Sequence, residues 1–148
     1  MSALAVRVQQ LEAVYRGIAA TRMAGLPLLH PRLAVQAVSF AAQEDGTALG
    51  VLVTPWFMNL VRLPLQADAE LPAPGQAEDR AIGGWTFRFH GHTEPGIGAH
   101  AAASLASPMH EFADQAAAVA TAQALLERLR PLPARRGFLL GRGTGAPR

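Results

Sequence analysis

The stretch Trp85-Thr86-Phe87-Arg88-Phe89-His90 sets aromatic against polar side chains at every second position. Successive side chains of a strand point to opposite faces, so this period of two commits the segment to a β-strand with one buried face. A strand needs partners, and the chain supplies them. Leu33 to Phe40 and Ala48 to Thr54 are apolar and of strand length, and the turn signal Glu44-Asp45-Gly46 between them predicts an antiparallel hairpin. Phe57 to Leu63 makes a third strand after the interruption at Pro55, and Ala99 to Ala106 is expected to pair with the aromatic strand. The intervening segment from Leu65 to Gly84, rich in proline, glycine, alanine and acids, reads as a mobile loop.

Helical periodicity brackets these strands. Leu4, Val8, Leu11, Tyr15 and Ile18 share one helix face, which predicts a helix from Ser2 to about Met23, before Gly25, Pro27 and Pro31. A second helix, starting either at Ser107-Pro108 or at Asp114, turns Phe112, Ala116, Val119, Leu126 and Leu129 inward, with Gln123 the polar exception on that stripe, and stops at Pro131 and Pro133. Helix, hairpin-linked strands, helix is the pattern of an α+β two-layer sandwich, with N- and C-terminal helices covering one face of an antiparallel sheet. At 148 residues the chain has the length of one hydrophobic core, so residues 1–134 are expected to form a single domain and 135–148 a basic C-terminal tail. The sheet face without helices becomes a candidate binding surface.

Composition narrows the function. Without cysteine the chain has no disulfide, no thiolate metal site and no cysteine nucleophile. All 13 basic residues are arginine, and six of them fall between Glu127 and Arg148, so the positive charge is concentrated at the C-terminus. Few basic residues elsewhere, and none interleaved with aromatics along a stripe, argue against nucleic acid as a partner. The longest apolar run, Ala48 to Val61, is too short for a bilayer and is interrupted by Thr54, Pro55 and Asn59, so no stable membrane insertion is expected. The N-terminus lacks the uninterrupted apolar core of a signal peptide, which makes a soluble cytoplasmic protein the expectation.

Catalytic and metal constellations are weak. None of the serines sits in a Gly-x-Ser-x-Gly elbow, Ser107 reads as a helix cap, and the acids Asp68, Glu70, Glu78 and Asp79 fall in the expected loop, so no catalytic residue is assigned and the chain is read as a non-enzyme. His90 and His92 share one strand face, but with His100 and His110 they form no ligand set of recognisable spacing. They read as solvated surface histidines, with no metal and no cofactor assigned. Gly141-Arg142-Gly143-Thr144-Gly145 neither follows a strand nor opens a helix, so it is not a phosphate loop. Pro55, Trp56, Phe57, Met58 and Asn59 crowd aromatic and apolar side chains around a strand break. Strand alternation would send Trp56 and Met58 to one face and Phe57 and Asn59 to the other, leaving one pair free for protein contact.

Four stretches together resemble the HybE family of nickel-iron hydrogenase assembly chaperones, the group of HupJ- and HoxT-like proteins. They are Leu29-His30-Pro31, Thr54-Pro55-Trp56, Ser104-Leu105 with Ser107-Pro108, and Arg135-Arg136 followed by Leu139-Leu140-Gly141-Arg142. The resemblance spans nearly the whole chain and implies an α+β fold similar to secretion chaperones. It implies an accessory protein that binds the precursor of a hydrogenase large or small subunit, supports its maturation and delays premature export, with a Tat-type signal peptide as a further candidate ligand. Cysteines common in the family are replaced here in the regions of Ala103 and Val51, so a thiol-based role is excluded. On chemistry, the client-binding residues are Pro55, Trp56, Phe57, Met58, Asn59, Ser107, Pro108, Met109, Arg135, Arg136, Leu139 and Arg142. A nickel-handling or cofactor-protecting role through the histidines is the alternative.

Overall fold

Two apolar runs pair to form the middle of the molecule. β2 (Thr47–Val53) and β3 (Met58–Pro64) lie antiparallel, and every residue of β2 is buried. The computed structural model describes residues 2–130, in which α1 (Ala3–Ala20), β1 (Gln36–Ala42), β4 (Ala77–Ile82), β5 (Trp85–Glu94), β6 (Gly98–Ala106) and α2 (Gln115–Leu129) complete the fold. The sheet is antiparallel throughout and runs β1-β2-β3-β6-β5-β4. The α+β class and the flanking helices agree with the sequence reading.

The layering differs. A strand buried on both faces needs cover on both, and the two helices provide it from opposite sides, so the sheet is the middle layer of three and not one layer of two. Val38, Val51, Leu60 and Ala103 form one row across four strands and pack toward α2 with Phe89, Ala118, Ala122 and Leu126. Their neighbours Ala48, Leu52, Val61, Leu63 and Ala102 face the other way and pack on Leu11 and Tyr15 of α1. The uncovered apolar face expected from same-side helices is therefore absent among the described residues.

Local departures have local causes. Ser2 caps α1 by accepting from the Ala5 amide at 3.1 Å, and the helix ends at Ala20, short of Met23. Asp114 caps α2 through the Ala117 amide at 2.9 Å, so the later of the two proposed starts is the real one and Ser107 is not a cap. The buried stripe of α2 is Ala118, Ala122, Leu126 and Leu129, whereas Ala116, expected inward, is exposed. Alanine stripes escape a search keyed to large apolar residues.

The segment expected to be a loop contains β4. Its sequence, Ala-Glu-Asp-Arg-Ala-Ile, lacks the β-branched alternation of a strand; it is held in the sheet by the turn Gly83-Gly84, where φ values of 60° and 84° suit the tight hairpin turn that needs positive φ at both positions. β5 pairs with β6 only over His90–Glu94, and its first five residues pair with β4 alone. This two-stranded arm turns over the α2 side of the sheet. Its tip packs so closely that a Cβ on Gly83 would lie 2.6 Å from the Leu129 carbonyl oxygen. Arg80 of β4 reaches Asp45 in the β1–β2 turn at 2.7 Å, and the buried Arg62 bonds Asp45 and Glu78 at 3.3 and 3.4 Å while its guanidinium stands 5.6 Å from the Phe89 ring. A buried cation is stable only with such partners.

Candidate functional site

One end of the sheet gathers three segments that are far apart in sequence: the connection 26–32 after α1, the turn 54–57 between β2 and β3, and the connection 107–112 before α2. His30 ties them together. Only 4% exposed, it donates through its backbone amide to the Pro55 carbonyl at 2.9 Å. Its Nδ1 accepts the Arg32 amide at 3.1 Å, so Nε2 carries the hydrogen and donates to the Phe112 carbonyl at 2.7 Å. The His110 ring stacks on it with centroids 6.4 Å apart. Ser107 adds a bond from Oγ to the Trp56 carbonyl at 3.4 Å.

The turn itself is built by Thr54. Its Oγ1 accepts the Trp56 and Phe57 amides at 3.2 and 3.0 Å, and its own amide bonds the Phe57 carbonyl at 2.9 Å. Side-chain bonding of this kind competes with ladder pairing, so Trp56 and Phe57 leave the strand before alternation applies. Both pack toward α1: the Trp56 and Phe57 rings meet edge to face at 5.3 Å, and Phe57 meets Tyr15 at 5.9 Å. The expected pairing of Trp56 with Met58 on one face is thus corrected.

The sequence-derived contact residues divide accordingly. Met58 is 2% exposed and Met109 0%, and both belong to the core against α2; Pro55 is also buried. None of the three can touch a partner without unfolding. Trp56, Phe57 and Asn59 are half-buried, and Ser107 and Pro108 are exposed. Arg135, Arg136, Leu139 and Arg142 lie outside the described residues. Leu26 and Leu28, 40% and 36% exposed, were not anticipated, whereas His110 is exposed as expected. The signal available for the leucines was the proline-flanked run Leu26-Pro27-Leu28-Leu29, apolar where a connection is ordinarily polar. Leu26, Leu28 and Pro108 are thus exposed and Trp56 half-buried on segments that His30 and Ser107 join by hydrogen bonds.

Of the sheet histidines, His90 and His92 are exposed, as expected, and His100 serves packing. His100 is 1% exposed, contrary to its reading as a solvated residue. Its Nδ1–H donates to the Gly98 carbonyl at 2.9 Å and its Nε2 accepts the Tyr15 hydroxyl at 2.8 Å, joining β6 to α1. Burial holds the His100 imidazole below its ordinary titration range against the pull of the Gly98 bond, and pushes the Tyr15 hydroxyl up to about 12, with the Glu94 charge adding to the rise. His92 stacks on His100 at 5.7 Å and is likewise lowered by burial and by neighbouring His90. Among the described residues no three His, Asp or Glu side chains are arranged to hold a metal ion.

An antiparallel six-stranded sheet clad by one helix on each face defines a protein of α+β class. The sequence pattern described as NiFe-hydrogenase assembly, chaperone, HybE matches residues 6–144, and the chain belongs to this family of hydrogenase assembly chaperones. It is 42% identical over 160 aligned positions to protein HoxT of Cupriavidus necator, covering 92% of this chain and 89% of that one. It is 44% identical over 118 positions to the hydrogenase expression/formation protein HupT of Azotobacter chroococcum, covering 80% and 78%. The solution structure of HybE from Escherichia coli shares the fold, with a TM-score of 0.66 at 23% identity over 94% of this chain and 91% of that one. No helix among the described residues is long and apolar enough to cross a membrane.

Proposed function

We propose that this chain is a cytoplasmic chaperone that binds a hydrogenase subunit precursor during maturation and delays its export, acting by binding and not by catalysis. The observation that carries the reading is the convergence of Leu29-His30-Pro31, Thr54-Pro55-Trp56 and Ser107-Pro108 at one end of the sheet, where buried His30, Thr54 and Pro55 form the base and Pro31, Trp56, Ser107 and Pro108 reach the surface. A family motif scattered in sequence but joined in space is accounted for by a shared contact. Leu26, Leu28, Trp56 and Pro108 present the apolar area, Asn59 and Ser107 supply polar contacts, and Phe57 backs Trp56. Arg135, Arg136, Leu139 and Arg142, outside the described residues, are further proposed client contacts, the arginine charges speeding encounter with an acidic client and Leu139 adding an apolar one. A Tat-type signal peptide is a second ligand of the same surface.

Purification of the tagged chain from a hydrogenase-expressing strain, followed by mass spectrometry, tests the reading. The expected result is enrichment of an uncleaved, immature subunit over the mature one. Recovery of mature and immature forms alike would contradict it. A nickel titration separates the metal-handling alternative, which requires sub-micromolar binding lost on replacing His90 and His92.

A further inference from the structure

Five aromatic rings touch in a row that begins at the proposed client surface. Trp56 meets Phe57 edge to face at 5.3 Å, Phe57 meets Tyr15 at 5.9 Å, Tyr15 stands at 85° to His100 at 5.9 Å, and His100 stacks on His92 at 5.7 Å. Trp56 and Phe57 are half-buried, Tyr15 and His100 are buried, and His92 is exposed. One hydrogen bond joins the middle of the row, from the Tyr15 hydroxyl to His100 Nε2 at 2.8 Å. The other ring nitrogen fixes its direction. The Gly98 carbonyl can only accept, so Nδ1 carries the hydrogen across 2.9 Å, and Nε2 of the neutral ring is left as an acceptor. A proton on Nε2 reverses this bond. The Tyr15 oxygen must then accept, and its own hydrogen is left among the apolar side chains that pack on α1, with no second partner among the described residues. An unpaired buried hydroxyl is costly, so the Tyr15 ring has to shift. Phe57 packs on that ring and Trp56 on Phe57, and close-packed side chains transmit the displacement.

We infer that His100 is a positioning residue for the client contact: through Tyr15 and Phe57 it sets where Trp56 stands, and protonating it in mild acid moves Trp56 and weakens the hold on the client. The groups around His100 come from three elements. Burial opposes the proton most, the Gly98 carbonyl and Glu94 of β5 favour it, and His92 of β5 and Arg7 of α1 oppose it. Arg22 beyond α1 pairs with Glu94 at 2.8 Å, His90 adds its charge beside His92, and β3 presents apolar Val61 and Leu63. The inference rests on the chaperone reading and adds to it a control of the site by a group only 1% exposed, which no client touches.

The only other tryptophan, Trp85, is 56% exposed and outside the row, so the full chain carrying Trp85→Phe reports Trp56 fluorescence alone. Its emission is followed from pH 7.5 to 5.5, with circular dichroism at each pH to confine the reading to folded protein. The expected result is a titration of Trp56 emission that disappears on adding His100→Gln, because glutamine can hold both hydrogen bonds and takes up no proton in this range. Should His100→Gln misfold, Tyr15→Phe decides: it removes only the hydroxyl and is expected to disconnect Trp56 emission from pH. Calorimetry with the purified subunit precursor is the second arm. Affinity is expected to fall about fivefold or more between pH 7.5 and 5.5 in the Trp85→Phe chain, and about twofold at most once His100→Gln is added. Emission that does not change with pH overturns the inference, as does a titration or a loss of affinity that persists unchanged in folded His100→Gln. A precursor that binds at neither pH contradicts the chaperone reading instead, and the emission arm still decides whether His100 positions Trp56.

Discussion

His30 does at the scale of one residue what a disulfide does in a secreted domain, since three connections meet on its backbone and ring. Replacing it with alanine leaves the Arg32 amide and the Phe112 carbonyl without their partner, and we expect a loss of about 1–2 kcal/mol in a urea melt, in keeping with two partly buried groups left unpaired. Trp56 and Met58 are two positions apart, yet their replacements should separate cleanly. Met58→Ala opens the core and is expected to cost about 2–5 kcal/mol. Trp56→Ala removes a half-buried ring at the surface, so it should leave the melt within about 1 kcal/mol of wild type and weaken client binding by about 2 kcal/mol. His100 links acidity to stability. The folded state holds its imidazole below 6.5 while the unfolded chain protonates there, so the unfolded state binds more protons below that value. Stability is full above pH 6.5 and falls as the pH drops through and below it. Urea melts at pH 7.5 and 5.5 check the sign, and His100→Gln should reduce the difference between them.

Among the elements, the β4–β5 arm depends most on its glycines. A Cβ at Gly83 meets the Leu129 backbone, whereas one at Gly84 meets open space, although both have positive φ. Gly84→Ala should therefore cost about 1 kcal/mol from backbone strain alone, and Gly83→Ala clearly more, as the C-terminus of α2 is pushed away. Thermal melts of the pair make the comparison. The arm also marks where the sequence was hard to read. β1, β2, β3 and β5 announced themselves by large apolar side chains, β6 by its place after the aromatic strand, and all five were anticipated within a few residues. β4 was not, because an edge strand of small and charged residues owes its structure to the turn and to Arg62 and Arg80, partners that no local pattern displays. The same limit hid the inner stripe of α2, in which Ala118 and Ala122 pack by their smallness.

For the whole molecule, the missing information was which side of the sheet each helix takes. Periodicity gives each helix one apolar face and each central strand two, but an order of elements does not state the crossing of α2 to the far side. The continuous burial of β2 contained the clue, since a run such as Ala48-Leu49-Gly50-Val51-Leu52-Val53 has no polar face to give to solvent. The motif residues were legible as types, and what was not legible was that Met58 and Met109 point inward while Leu26 and Leu28 point outward. The three-segment surface is the proposed place where the immature subunit is held. Its most direct test is the affinity of the purified subunit precursor for wild type, Leu28→Asp and Trp56→Ala chains, measured by calorimetry beside a melt of each. The account predicts that both variants melt as wild type does and bind at least tenfold more weakly; folded variants that bind with wild-type affinity would contradict it.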